Sequence, residues 1–488
     1  MSADAATPIV VEEVKTGIGK LDPSQKRAEA YALQAATYAW MIAQTTDRAV
    51  EARILWWSLE QPAPTSIPIP WSPEDTEARI RARLDLVLEE IGARAERHAS
   101  QREAAARLRL PHRSWRPAQE EIVRAVERAL DAGEHLLLQA PTGSGKTGAA
   151  LLPVARAALL QSRRVFFLTS RRTQQRLPLH ILARIAPPEL PFAVQLRAKR
   201  DLCATGIAWC HESACALAAD PGPRGDRVLA DLLEEGVLDG ARVFAQGADE
   251  NVCPYALAHT LGEQVPFSVA DVHHLVHPNP LRGRAGEDIF EGAIVVVDEV
   301  HNLLERAREA GSATLGAALV RSAIERAALG SDPHHWAQRE LAERTLAVLE
   351  ATAGEAGIAG LGDETGWVPH AIPLKELAEL AEAFEPLVVE SLIRGGDAPQ
   401  TGPDPFNELA FAVAKLGDDR WATDASHADL VGWVDGEPLL RRLELDPSPR
   451  LRRRFAGLHA FIGLSATLEP TALHREGLGL DPDRTSIV

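Results

Sequence analysis

Residues Ala140, Pro141, Thr142, Gly143, Ser144, Gly145, Lys146 and Thr147 follow directly on an apolar run, Leu136 to Leu138, that reads as a buried parallel strand. Glycines at 143 and 145 let backbone N–H groups curl around a polyphosphate. The Lys146 ammonium then reaches the outer phosphates, and the Thr147 hydroxyl can ligate Mg²⁺. The helix expected from about Gly148 to Gln161 points the positive end of its dipole at the same anion. A second apolar run, Ile294 to Val297, ends in Asp298, Glu299, Val300 and His301. Acidic residues at the carboxyl end of a buried strand lie where an open parallel sheet binds its ligand. There Asp298 can hold Mg²⁺ through water, Glu299 can polarise the attacking water, and His301 can sense the outer phosphate. The chemistry expected is attack of water on a terminal phosphate.

The elements that must position these groups are legible around them. A third apolar strand, Phe461 to Leu464, runs into Ser465, Ala466 and Thr467. Upstream, Arg116 and Pro117 open an amphipathic helix that carries Gln119 in its first turn and Ile122, Val126 and Leu130 on one face. The reading is an α/β fold built on a parallel sheet.

All four cysteines, Cys203, Cys210, Cys215 and Cys253, lie between the phosphate loop and the acidic strand end. Four thiolates make one complete metal shell. Their gaps of six, four and thirty-seven residues are irregular for a structural zinc site, which favours tight knuckles. An iron–sulfur cluster tolerates such gaps, and the last cysteine is followed by Pro254. Spacing alone leaves both metals open.

With 488 residues, 45% of them hydrophobic, the chain can bury more than one core. It holds no uninterrupted apolar stretch long enough to span a bilayer, and its start, Met1 to Asp4, lacks the regions of a signal peptide. A cytoplasmic, membrane-free protein is expected. The net charge of -17 argues against wholesale coating of nucleic acid, since counterion release rewards positive surface, but a local basic groove is compatible with it.

The cysteine quartet between the two phosphate-site motifs resembles the XPD/DinG family of iron–sulfur DNA helicases, over roughly residues 112 to 488. The stretch Asp298 to Asn302 is close to that family's Asp-Glu-Ala-His-Asn box, with Val300 for alanine. Ser465 and Thr467 resemble the motif that couples ATP state to DNA grip in superfamily 2 helicases, and Gln119, beside Arg116, matches their adenine-reading glutamine. The resemblance implies a P-loop, RecA-like motor domain with two insertions, a four-cysteine 4Fe-4S module and a helical arch. It implies ATP, Mg²⁺ and movement 5′ to 3′ on single-stranded DNA. Arg197, Lys199 and Arg200, just before Cys203, would suit a phosphate-contacting rim.

The first hundred residues carry a weaker pattern. A strand from Ile9 to Thr16 projects Glu13 and Lys15 from one face, and the next helix places Gln34 and Tyr38 one turn apart. This arrangement is similar to the RecB-like branch of PD-(D/E)XK nucleases. The family's aspartate ahead of the strand has no counterpart, because Asp4 follows no strand.

The organisation expected is a partial nuclease-like region at 1–70, a helical linker at 71–111, motor segments at 112–195, 263–305 and 432–488, the cluster module at 196–262 and the arch at 306–431. A glycine- and proline-bearing loop, Gly395 to Pro405, divides the arch. The chain stops soon after Thr467, where family members continue into a second motor domain that supplies arginines to the ATP site. The isolated chain is therefore expected to bind ATP but hydrolyse it poorly, unless a partner chain supplies that domain. The alternatives are an ATP- and cluster-binding DNA module without motor activity, and a metal-dependent nuclease.

Overall fold

Short apolar runs bounded by turn residues build three separate sheets in the computed structural model of the chain. It describes residues 7–17, 20–21, 26–58, 63–109, 116–188, 190–205, 210, 215–217, 222–278, 286, 288–358, 366–394, 404–418 and 426–488. The stretch from Met1 to Asp4 and most of the loop expected between Gly395 and Pro405 lie outside these residues. Among the described residues, no helix is long and apolar enough to cross a membrane. The chain divides into two units, Met1–Ser100 and Gln101–Val488.

In the first unit, β1 (Ile9–Gly17) pairs in parallel with β2 (Val50–Ser58), and β2 pairs antiparallel with β3 (Thr65–Ile69). A parallel pair needs a crossover, which helix α1 (Lys26–Ala43) supplies. Its small residues Ala35 and Ala39 pack against Val11 and Ala52 of the sheet. Helix α2 (Pro73–Ala105) begins where the Ser72 hydroxyl accepts from the Asp75 N–H at 3.1 Å, an N-cap.

The second unit is built on eight parallel strands. They are β4 (His135–Gln139), β5 (Val165–Thr169), β6 (Ala193–Gln195), β7 (Val237–Leu238), β8 (Phe267–Asp271), β9 (Ile294–Asp298), β14 (Ala460–Ser465) and β15 (Thr485–Ile487). Their spatial order is β15-β4-β14-β9-β5-β8-β6-β7. Both faces of the central strands are covered, so β4, β5, β9 and β14 read as near-continuous apolar runs rather than alternating, while the edge strand β15 is exposed. In β9, Val295 and Val297 enter one core while Ile294 and Val296 enter the other, and in β4 Leu137 is divided from Leu136 and Leu138 in the same way. Helix α3 (Pro117–Ala132) buries Ile122, Val126 and Leu130 on the second face and ends at Gly133, whose φ of 67° makes a left-handed cap.

Between β9 and β14 the chain makes its own layered body. Helices Ala317–Ala327, Pro333–Glu355, Leu374–Arg394 and Pro405–Gly417 enclose a core that includes Val320, Leu349, Phe384 and Phe406. Helical periodicity predicts those helices. It does not predict the four-stranded antiparallel sheet packed on them, ordered β10 (Ala313–Gly316), β13 (Glu437–Glu444), β12 (His427–Val434), β11 (Gly366–Pro369). The β12–β13 hairpin turns at Asp435 and Gly436, with φ of 53° and 79°. An Asp-Gly pair suits the two left-handed positions of such a turn. The boundary expected at 431 therefore falls inside a hairpin that runs on to Glu444.

Candidate functional site

The carboxyl ends of β4, β14 and β9 lie side by side, which brings three distant sequence motifs to one edge. After β4 the loop turns through Gly143 and Gly145, each at a φ of 79°, and delivers Lys146 and Thr147 into the first turn of α4 (Lys146–Gln161). Pro141, Thr142 and Gly143 are exposed, while Lys146 and Thr147 are buried to 7% and 6% exposure. Glycine at 145 also makes room for Gln119: a Cβ there would stand 2.3 Å from Gln119 Nε2. Gln119 is buried, and its side-chain carbonyl accepts from the Arg116 N–H at 3.0 Å, which fixes it against the loop. Ala140 N–H donates to the Ser465 carbonyl at 2.9 Å and ties the loop to β14. The Ser144 hydroxyl is buried and has no hydrogen-bond partner among the described residues.

The acidic pair faces this loop. Lys146 Nζ lies 3.1 Å from Glu299 Oε1, and Thr147 Oγ1 donates to Asp298 Oδ2 at a long 3.5 Å. Burial, and then the charge of Glu299, push the Asp298 carboxyl above the usual carboxylate range, with Lys146 and Thr147 pulling the other way. A divalent cation would reverse that balance, and Thr147 with Asp298 are the residues placed to hold one. Glu299 adopts a φ of 52° and ψ of 52°, a left-handed conformation that turns its side chain back over Lys146.

His301 links the box to β14. Its Nδ1 lies 2.8 Å from Ser465 Oγ and 3.5 Å from Glu299 Oε2. Ser465 Oγ donates its one proton to the Thr467 carbonyl and accepts from the Thr467 N–H, so the histidine must be the donor, with its proton on Nδ1. Sequence reasoning missed Gln139, whose carbonyl accepts from the Leu468 N–H at 2.8 Å and pins the strand-end loop. It also missed the reason Val300 fits. A Cβ on Gly463 would lie 3.0 and 3.1 Å from the two Val300 methyl groups, so the glycine in β14 houses the fully buried valine.

All four cysteines line one small pocket, together with Lys199, Thr205 and Tyr255. None of the four forms a disulfide. Burial raises the Cys253 thiol, the backbone N–H groups of Ala256 and Tyr255 lower it, and Cys210 and Cys203 push it up again. Among the described residues no three His, Cys, Asp or Glu side chains stand close enough to hold a metal ion as placed. The donor set nonetheless fits a thiolate-bound metal centre in kind: four sulfurs lining one pocket and two N–H groups aimed at the Cys253 sulfur.

Lys199 and Tyr255 also line a neighbouring open cavity of about 780 Å³ with Arg172, Arg197, Arg200 and His273. It is strongly basic, with Asp201 and Asp271 as its acidic members. The basic stretch from Arg450 to Arg454 is different. Arg450 is bonded to Glu444 and to the Val276 and Ala307 carbonyls, and Arg454 reaches Asp288 at 3.5 Å, so those two guanidiniums fasten the fold.

In the first unit, Lys15 Nζ lies 2.8 Å from Glu13 Oε1 and 4.9 Å from the centre of the Tyr31 ring. Gln34 Nε2 donates to Tyr38 Oη at 3.2 Å on α1. Bonding to Glu13 raises the Lys15 ammonium above its usual range.

Two segments match family models: residues 116–175 match the DEAD/DEAH box helicase family and residues 193–319 match DEAD_2. No curated protein matches the chain. Among solved structures, the chain is similar to an XPD helicase with 16% identity and a TM-score of 0.52, covering 77% of this chain and 62% of that one. It is also similar to a truncated XPD with 16% identity and a TM-score of 0.48, covering 76% of this chain and 99% of that one. The first likeness shows a shared fold, a RecA-like helicase sheet, and this chain spans less than two thirds of that protein's length. The family matches mark residues 116–175 and 193–319 as similar to helicase segments.

Proposed function

We propose that the chain is an ATP-hydrolysing DNA helicase motor of the iron–sulfur XPD/DinG type, acting 5′ to 3′ on single-stranded DNA. The observation that carries this reading is the convergence of Lys146 and Thr147, Asp298 and Glu299, and His301 with Ser465 at one sheet edge. In this reading the loop from Ala140 to Gly145 cradles the triphosphate and Lys146 neutralises its outer oxygens. Thr147 and Asp298 hold Mg²⁺. Glu299 accepts a proton from the attacking water once phosphate has drawn Lys146 away from it. Gln119, with Arg116, reads adenine beside the loop. The His301–Ser465 bond transmits the state of the box to β14 and Thr467.

The basic cavity beside the cysteines is assigned to the DNA strand, because a phosphate backbone needs a local cationic track rather than a basic protein. Cys203, Cys210, Cys215 and Cys253 would hold a 4Fe-4S cluster, which supplies a covalent cross-link across the chain between 203 and 253. We assign the motor to 112–195, 263–305 and the segment after Glu444, the cluster module to 196–262, the helical arch with its sheet to 306–444, and the linker to 71–111. Residues 1–70 are assigned to a RecB-like nuclease remnant, on the strength of the Glu13–Lys15 pair facing Tyr31.

ATP turnover measured with and without single-stranded DNA tests the motor reading. Hydrolysis stimulated by DNA, with stimulation lost and nucleotide binding kept in Ser465→Ala, is the expected result. Nucleotide and DNA binding with no turnover under any condition would leave a binding module instead. Mn²⁺-dependent nicking abolished by Lys15→Ala would move the activity to the first unit.

A further inference from the structure

Gln195, the last residue of β6, is 4% exposed and has every polar atom of its carboxamide engaged. Its Nε2 donates to Gln175 Oε1 at 2.7 Å, and Gln175 is itself 3% exposed. Its Oε1 accepts from Arg197 Nε at 3.1 Å and from the Gly240 N–H at 2.9 Å. A flipped amide would set its NH₂ against two donors, so the network admits one orientation. Arg197 meets a second constraint from below. A Cβ on Gly240 would stand 2.5 Å from Arg197 Nε and 2.7 Å from its Cδ, so the side chain lies directly on the glycine backbone.

With Nε occupied, the two Nη groups of Arg197 make no hydrogen bond among the described residues, and the side chain lines the basic cavity. Arg172 lines the same cavity and is paired with Asp201 at 3.3 Å. A buried amide pair that fixes the Arg197 guanidinium is a pre-organised anion site, because the geometry is set before the anion arrives.

We propose that Gln175, Gln195 and Gly240 form a rigid seat that fixes Arg197 as a phosphate-contacting group of the groove, which makes Gln195 a positioning residue for nucleic-acid backbone binding. This rests on the reading of the basic cavity as the DNA groove.

The test uses the full chain, a labelled oligothymidylate and anisotropy titrations over a salt series. Arg197→Ala should weaken binding about tenfold and lower the slope of log K against log salt by about 0.7, the loss of one phosphate contact on a single strand. Gln195→Leu should reproduce both effects, and the double variant should bind no more weakly than Arg197→Ala alone. Gly240→Ala is the second route to the same end. It puts a methyl group where the Arg197 side chain lies and so displaces it, while improving helix propensity, so melting temperature should hold while affinity falls. Wild-type affinity and slope in Gln195→Leu and Gly240→Ala, beside a weakened Arg197→Ala, would overturn the seat and leave the groove. Should Gln195→Leu fail to fold, Gly240→Ala alone decides. Wild-type binding by both Arg197→Ala and Lys199→Ala would instead overturn the groove reading, and the seat with it.

Discussion

Lys146 Nζ and Glu299 Oε1 lie 3.1 Å apart, 153 residues apart in sequence, so the cation placed to grip phosphate is neutralised by the carboxylate placed to act on water. The side chains are 9% and 21% exposed, which makes the pair a partly desolvated one whose members are costly to leave alone. In the proposed motor, an arriving triphosphate takes over Lys146 and releases Glu299 as a base in the same movement. Lys146→Ala should therefore weaken ATP binding about a hundredfold, the loss of a charge-assisted contact. Glu299→Gln should bind ATP at least as tightly as the wild type while turnover falls about 10² to 10⁴-fold. Fluorescent-nucleotide titration and phosphate-release assays separate the two. Equal losses of binding in both variants would contradict the division of labour.

The fit of Val300 against Gly463 makes a paired prediction. Gly463→Ala should destabilise the second unit by about 1–3 kcal/mol, since the added methyl group meets Val300 and Leu137 in a close-packed layer. Shortening the valine in Val300→Ala/Gly463→Ala should restore much of that loss, because the two sites are in contact. Denaturant melts of the single and double variants read this directly. Simple addition of the two single losses would show that the methyl group clashes elsewhere.

For the cysteines, protein purified without oxygen should be brown and carry about four irons per chain. Replacing any one of Cys203, Cys210, Cys215 and Cys253 by serine should lower iron content and loosen the chain around the cavity, detected as protease sensitivity. Nucleotide affinity should change little. Stoichiometric zinc without iron would refute the cluster.

Acid sensitivity should have a definable source in His135. It is 2% exposed, accepts from the Phe461 N–H at 3.2 Å through Nδ1, and is pushed from 6.5 to about 4, first by burial and then by Arg484. Unfolding releases this histidine to take up a proton at ordinary pH values. Its neutral form therefore carries no penalty above pH 6.5, and stability falls as pH drops from 6.5 toward 4, by up to about 3 kcal/mol. His135→Gln keeps an acceptor near Phe461 and does not titrate. Urea unfolding at pH 7 and pH 5 should show a smaller difference for the variant than for the wild type, and identical differences would exonerate His135.

The sequence by itself determined whatever depends on contiguous residues. The phosphate loop is a strand, two glycines in left-handed turns and a helix, and each part follows from residues within about ten positions of Lys146. The apolar face of α3 and the buried runs of β9 and β14 are legible for the same reason, since periodicity is local. The Asp435–Gly436 turn was equally local, yet the helical periodicity of the flanking segments gives no hint of the sheet it belongs to.

Only the tertiary structure decided which motifs meet. Placing β14 between β4 and β9 puts Ser465 against His301 and Ala140 together, and no local pattern encodes a strand order. It likewise showed that Arg450 and Arg454 are spent on internal carboxylates and carbonyls, whereas Arg197 is held open by a buried glutamine pair. A charged side chain reads the same in sequence whether it faces solvent, a partner or a cavity. Its chemistry is set by the long-range packing that surrounds it, through burial and the groups brought within a few ångströms.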